Sequence, residues 1–283
     1  MMQFTRATLG RMSLLLLVGT AAQLTGCTHE NPLSLELEGN LAMIRLPGAG
    51  AGVTGQCLPQ GETQFRPTGV FDLMVTNRYE FFPRIENKLP ETQAISGMGP
   101  ESLRLDASTV TVEGAAMTLE LDTTSPGPLK VTGALKWRTS WYTPFVAQIE
   151  AGQFVGSAFT LIPSDVGQLM KKQFGDFADR RTARQQAVVK VRLIGRMADG
   201  TTVESNTIAY PVDLCWGCLV SLPVSIPGVG VDPALQYLAC SSKSIGAFTP
   251  PCMPGNDEYL PCQFYCAMCD LDNTCDDAVC PTP

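Results

Sequence analysis

The sequence predicts a mainly β protein: an immunoglobulin-like β-sandwich with one inserted helix, followed by a small disulfide-rich C-terminal module. Three observations predict it. Short apolar runs of strand length recur from Phe65 to Val212, many with period-two alternation and with turn residues between them. Within that series one stretch repeats instead at helical spacing: Val166, Leu169, Met170, Phe174 and Phe177 follow the start signal Pro163-Ser164-Asp165. From Asp213 onward the composition changes, with nine of the eleven cysteines, eight acidic residues and a single base, Lys243. A segment so poor in core residues is held by bridges rather than by burial.

Each element follows in order. Leu33, Leu35 and Leu37 alternate with Ser34, Glu36 and Glu38, a strand pattern read as an edge strand donated by a spacer. The run Pro47-Gly48-Ala49-Gly50-Ala51-Gly52 then breaks the chain before Cys57 and Pro59. Val70 to Val75, Leu103 to Leu105, Val110 to Val112 and Met117 to Leu121 read as strands, the last ending at the turn cluster Thr124-Ser125-Pro126-Gly127-Pro128. Leu129 to Trp137 alternates again, and Phe154 to Leu161 continues the series. Val189 to Leu193 and Thr201 to Pro211 are joined by Asp199-Gly200, a strong hairpin signal. Seven to nine such strands suit a sandwich.

The N-terminal residues carry the one recognisable targeting signal. Arg6 and Arg11 precede the apolar run Leu14-Leu15-Leu16-Leu17-Val18, with no acid before Glu30. This is the layout of a secretory leader, too short for the ~20 residues of a membrane span. Leu24-Thr25-Gly26-Cys27 closes it and resembles the lipobox of bacterial lipoproteins. The resemblance implies cleavage before Cys27, lipidation of that cysteine, and a body hung from the cell envelope through membrane lipid. Thr28, where an Asp would favour retention at the inner membrane, points to the outer membrane. The chain thus divides into a signal peptide (1–26), a tether and lead-in segment (27–64), a sandwich (65–212) and an acidic Cys-rich module (213–283).

Without the leader the chain has 18 basic and 27 acidic residues, a balance that excludes a nucleic-acid footprint. Export implies an oxidising compartment, where cysteines form disulfides. Setting Cys27 aside leaves Cys57, Cys215, Cys218, Cys240, Cys252, Cys262, Cys266, Cys269, Cys275 and Cys280, an even number. Nine of those ten lie beyond Asp213, so complete pairing requires Cys57 to reach the C-terminal module.

Candidate chemistry is sparse. Cys215-Trp216-Gly217-Cys218 has the C-x-x-C spacing of thiol–disulfide exchangers, but Leu219 to Pro223 is no helix start, so the pair reads as structural. The remaining metal-like cysteine spacings read as bridges in the same way. Asp270, Asp272 and Asp276 have the spacing of a calcium loop, yet Cys275 replaces its turn glycine and Pro281 its bidentate Glu; calcium is therefore only a weak cofactor candidate. The single histidine, His29, sits beside the anchor, which excludes His-based hydrolases in their usual forms. Trp137, Arg138, Trp141 and Tyr142, with Phe145, form the densest aromatic patch; Leu135, Trp137, Thr139 and Trp141 share one strand face, so the patch reads as core, and alternatively as a binding platform. Lys171, Lys172, Arg180, Arg181 and Arg184 form a basic patch along and after the helix, read as a solvated face, and alternatively as a surface for anionic lipid or lipopolysaccharide or a dock for the acidic module. Expected, then, is a non-catalytic envelope lipoprotein that binds or scaffolds an envelope protein partner. A receptor for a small ligand or glycan is the alternative, and a hydrolase or thiol redox enzyme a remote one.

Overall fold

The structure is a computed structural model that describes residues 34–45, 57–59, 64–90, 108–121, 127–221, 240, 251–272 and 280, with the backbone alone at 269–272. Among the described residues it is mainly β, 53% strand against 15% helix, built on a curled sheet. The backbone of that sheet is three long strands: β8 (Val110–Leu121), β12 (Arg184–Met197) and β13 (Thr202–Cys215). β12 and β13 form the hairpin expected at Asp199-Gly200, with Gly200 at φ +88° and the Asp199 carboxylate accepting the Thr201 amide (2.8 Å). β12 outruns the sequence pattern at both ends, and β13 at its C-terminal end. β8 pairs with β12, and β9 (Ser140–Ile149) pairs with β8.

On the far side of β13 lies β1 (Leu35–Leu41), followed by β7 (Pro83–Asn87) and β10 (Phe154–Gly156). β1 is therefore an interior strand, not the edge strand that its alternation suggested. It runs parallel to β13 and antiparallel to β7, with Leu35 and Leu37 buried. Further along β13, the short β5 (Gly69–Asp72) takes over as parallel partner from Val212 to Cys215. Pro211 falls between these two pairings, where its missing N–H costs no ladder bond.

The core follows from strand parity. On β8 the buried positions are Val110 and Val112, then Ala115, Met117 and Leu119; the register shift at Gly114 moves them from even to odd numbers. An added Cβ at Gly114 would run into the Tyr142 hydroxyl, so glycine lets that ring lie across the sheet. Ala187, Val189, Val191 and Leu193 of β12 join this layer. In the same core are Tyr79 and Phe81 of β6 (Tyr79–Phe81), Phe159, Leu161 and Ile162 of β11 (Phe159–Ile162), and Val166, Met170 and Phe174 of the helix α1 (Ser164–Gly175). Phe177 lies beyond the helix end and is exposed. Leu103 to Leu105 fall outside the described residues.

Candidate functional site

Two carboxylates, Asp72 and Asp257, meet at β5 from two sides. Val70 to Val75 do not make one strand: the chain turns after Asp72, around that residue's own side chain. Asp72 is fully buried, and its Oδ1 accepts the amides of Met74 (3.1 Å) and Gly217 (2.7 Å) while Oδ2 accepts that of Leu219 (2.9 Å). One carboxylate thus holds both its own turn and the loop closed by the Cys215–Cys218 disulfide. Burial pushes its pKa up, against the downward pull of the three amides and the Arg184 charge. A carboxylate oxygen lies within 4.8 Å of the sulfurs of both cysteines. α1 covers this joint. Lys171 donates to the Met74 carbonyl (3.0 Å), and its amine is pushed down by burial and held up by Asp72. Arg180 lies over the Trp216 ring (5.5 Å) and donates to the Gly175 carbonyl. Part of the basic patch is therefore spent on fixing the 72–76 and 215–218 loops.

On the other edge of β5 the C-terminal segment docks. Asp72 donates its amide to the Gly255 carbonyl, Asp257 its amide to the Val70 carbonyl (both 2.9 Å), and Phe71 bridges to Asn256 in antiparallel fashion. Asp257 sits at φ +60°, an uncommon conformation that Asp tolerates better than most residues. The turn aims its carboxylate at the Val70 amide and the Tyr79 hydroxyl (both 2.5 Å), with Arg66 at 3.4 Å. Tyr79 continues to Tyr210 (3.4 Å), and Asn40 donates to the Tyr210 hydroxyl (2.9 Å). Burial raises the Asp257 carboxyl, and burial together with the Asp257 charge raises both phenols, Tyr210 to about 12.

The bridges staple this arrangement. Cys57 pairs with Cys252 immediately before the docked segment, and Cys215 with Cys218. Cys240 pairs with Cys262 and Cys266 with Cys280, tying α2 (Cys262–Asp272) to the chain on both sides of it. Around α2 a second small core forms from Met74, Val220, Leu260 and Tyr265. The Cys269 side chain and Cys275 lie outside the described residues, as do Cys27, His29 and the side chains of the calcium candidates Asp270, Asp272 and Asp276.

The aromatic patch does not form one strand face. Gly133–Trp137 is a 3-10 turn entered through Gly133 at φ +56°, so Leu135 is buried and Trp137 is 81% exposed. Trp141 is half-buried and donates its indole N–H to the Leu161 carbonyl (3.1 Å). Arg138 pairs with Asp165 (2.9 Å), and Tyr142 is half exposed. The core reading thus fails for Trp137, because alternation in sequence does not survive the turn, and for Tyr142, which β9 places on the face opposite Trp141. On the outward face of β9, Tyr142, Pro144 and Val146 succeed one another, Val146 being 79% exposed.

A groove of roughly 970 Å³ opens between the 127–135 segment and α1. Leu129, Val131, Leu135, Leu169 and Phe177 give it apolar walls, with Lys172, Gln173 and Asp176 on the helix side. The groove's inner wall is fixed by Gln185, whose amide accepts the Leu129 N–H and donates to the Leu129 carbonyl. Elsewhere Glu36, Glu38 and Glu86 cluster on the sheet, where Lys88 reaches Glu36 and Glu86, and Arg84 reaches Glu38. Among the described residues no helix is long and apolar enough to cross a membrane.

Sequence reasoning passed over Asp72, Tyr79, Tyr210 and Asp257. One local signal was present: an Asp in the middle of an apolar run, Val70-Phe71-Asp72-Leu73, has to find buried donors.

No protein-family model and no curated protein matches the sequence. Among solved structures, a protein from Archaeoglobus fulgidus aligns over 48% of this chain and 83% of its own, at 8% identity and a TM-score of 0.26. A likeness of that size carries no argument about fold or function.

Proposed function

We propose that this is an exported bacterial lipoprotein, lipidated at Cys27, whose β-rich body has a non-catalytic binding or scaffolding role as an accessory subunit of an envelope assembly. The observation that carries the reading is the outward apolar row Tyr142, Pro144 and Val146 with Trp137 just before it. Solvent-facing aromatic and aliphatic side chains placed side by side are what a protein partner covers, Trp and Tyr above all. The lipid raises the local concentration of that surface at the membrane. Thr28 after Cys27 supports the outer membrane over the inner. An immunoglobulin-like plan belongs to the same reading. It is supported by the single core to which both the large sheet (β8, β12, β13) and the separate β6–β11 pair contribute buried side chains.

The test is capture of partners from solubilised envelopes by the mature protein, beside Cys27→Ser, Trp137→Ser and Val146→Glu forms. The expected outcome is an envelope protein retained by the wild type, lost with both surface variants, and unaffected by Cys27→Ser once membranes are dissolved. Identical captures with wild type and surface variants would overturn the reading. The groove beside α1 favours a second reading, an extracytoplasmic receptor for a small ligand or glycan. Saturable thermal stabilisation by such a ligand, abolished by Lys172→Ala, would select it.

A further inference from the structure

The Cys215–Cys218 loop combines three features that the other described bridges do not share. Its two sulfurs are separated by only two residues, so opening the bond keeps the thiols close and closure is fast. Its cysteines are unequal: Cys215 is fully buried and Cys218 half-buried, so an incoming thiol meets Cys218 first. Among the described residues, it is also the bridge with a carboxylate oxygen, from buried Asp72, within 4.8 Å of both sulfurs. Asp72 Oδ1 accepts two amides and Oδ2 only one, which leaves acceptor capacity on Oδ2 for a thiol proton. The charged groups facing Asp72 are Lys171 from α1 and Arg184 at the start of β12.

We propose that Cys215–Cys218 is a thiol–disulfide exchange site whose reductant is a dithiol, with Cys218 the sulfur attacked and Asp72 the group that carries the proton to Cys215. The donor's first thiol gives its proton to Asp72 and attacks Cys218 as a thiolate. A donor–Cys218 disulfide forms, the Cys215–Cys218 bond breaks, and Cys215 leaves as a thiolate that takes the proton back from Asp72. The donor's second thiol then attacks its own sulfur of the mixed disulfide and passes its proton to the departing Cys218. Two electrons and two protons move from the dithiol to the protein, and the donor leaves as its disulfide. The absence of a helix after Cys218, which spoke against exchange in the sequence, leaves no helix N-terminus to stabilise a thiolate, and Asp72 serves differently, as the carrier of the proton. The bond joins the end of β13 to β14 (Val220–Ser221), where the chain leaves the sheet for the C-terminal module, so its opening loosens that joint.

The test exposes the folded, oxidised mature protein to a dithiothreitol series from pH 6 to 9, with acid quench, alkylation and peptide mapping. Cys215 and Cys218 should become alkylated at least about tenfold faster than Cys57 and Cys252, which are also half-buried. Asp72→Asn should slow that opening by roughly tenfold at the acid end of the series and steepen its dependence on pH, since only the donor's free thiolate then attacks. Because Asp72 also holds three amides, two variants test direction without it. With oxidised glutathione as the disulfide partner, run in the reverse direction, the free Cys218 thiol of Cys215→Ser should form a lasting mixed disulfide and release one glutathione, and Cys218→Ser should leave Cys215 unreacted. Opening no faster than at Cys57–Cys252, or equal trapping by the two serine variants, would overturn the proposal. Neither outcome bears on the exposed apolar row or on the lipid anchor.

Discussion

The Cys57–Cys252 bridge offers a quantitative test of what holds the chain together. It closes a span of 195 residues, against 22 for Cys240–Cys262, 14 for Cys266–Cys280 and 3 for Cys215–Cys218. A cross-link stabilises chiefly by removing conformations from the unfolded chain, with a cost that grows with the logarithm of the span. That relation gives about 5 kcal/mol for Cys57–Cys252, about 3 each for the two intermediate bridges, and about 2 for Cys215–Cys218. Replacing both Cys57 and Cys252 by serine should therefore lower the unfolding free energy more than removal of any other described bridge.

The folded state should change little, because residues 255–257 stay docked without the bond. Their two backbone hydrogen bonds and the Asp257 contacts to Val70 and Tyr79 do not depend on it. The assay is equilibrium urea unfolding of the oxidised double-serine variants, paired with hydrogen exchange. The midpoint should fall and the urea dependence should steepen, since the released chain exposes more surface on unfolding. The Val70 amide should remain protected. A loss below ~1 kcal/mol, or a smaller loss than for the Cys215/Cys218 pair, would refute the chain-entropy reasoning. Loss of protection at Val70 would instead show that the bond, and not the carboxylate, holds the docked segment.

Two further outcomes are expected. Tyr79 and Tyr210 hold their protons more tightly folded than unfolded, so the stability they contribute is whole below pH 10 and is lost as pH rises toward 12; Tyr210 alone accounts for about 3 kcal/mol at ~1.4 kcal/mol per unit. Unfolding followed by tyrosinate absorbance should show this decline, and Tyr210→Phe should remove its share. The four described bridges and the even cysteine count leave Cys269 and Cys275 as the fifth pair; non-reducing peptide mapping should find them joined, and free thiols at both would refute the count.

How much of this was legible depended on how local the cause was. The β12–β13 hairpin could be read because Asp199-Gly200 sets the turn by its own backbone preferences. The helix could be read because its buried face repeats within one element. Cys57 could be assigned a distant partner by counting, without any geometry. The interior place of β1 was not legible, since two buried leucines look the same beside one neighbour as between two, and its β13 partner lies 170 residues away in register. Nor was Trp137, whose alternation with Leu135 is broken by the turn at Gly133. The two carboxylates were the least legible of all. Asp72 finds Gly217 and Leu219 at separations of 145 and 147 residues, and Asp257 finds Tyr79 at 178 and Val70 at 187.

Those two carboxylates solve one problem in the same way. β5 has four residues, too few to hold a place in a sheet by its own ladder, and it has a partner on each edge: β13 in parallel and residues 255–257 in antiparallel. At one end Asp72 binds the loop that follows β13; at the other Asp257 binds the Val70 amide from the docked segment. Each carboxylate therefore fastens β5 to the partner that its backbone already pairs with. An isolated buried carboxylate is costly, and the cost is met here by amide, hydroxyl and guanidinium donors that come from chain segments far apart in sequence. The C-terminal segment is accordingly part of the sheet's construction, since it supplies the outer neighbour of β5 and the carboxylate that Tyr79, itself bonded to Tyr210, donates to. An acidic, cysteine-rich composition marks that segment off from the β-rich body in sequence, while in space residues 255–257 complete the pairing of β5.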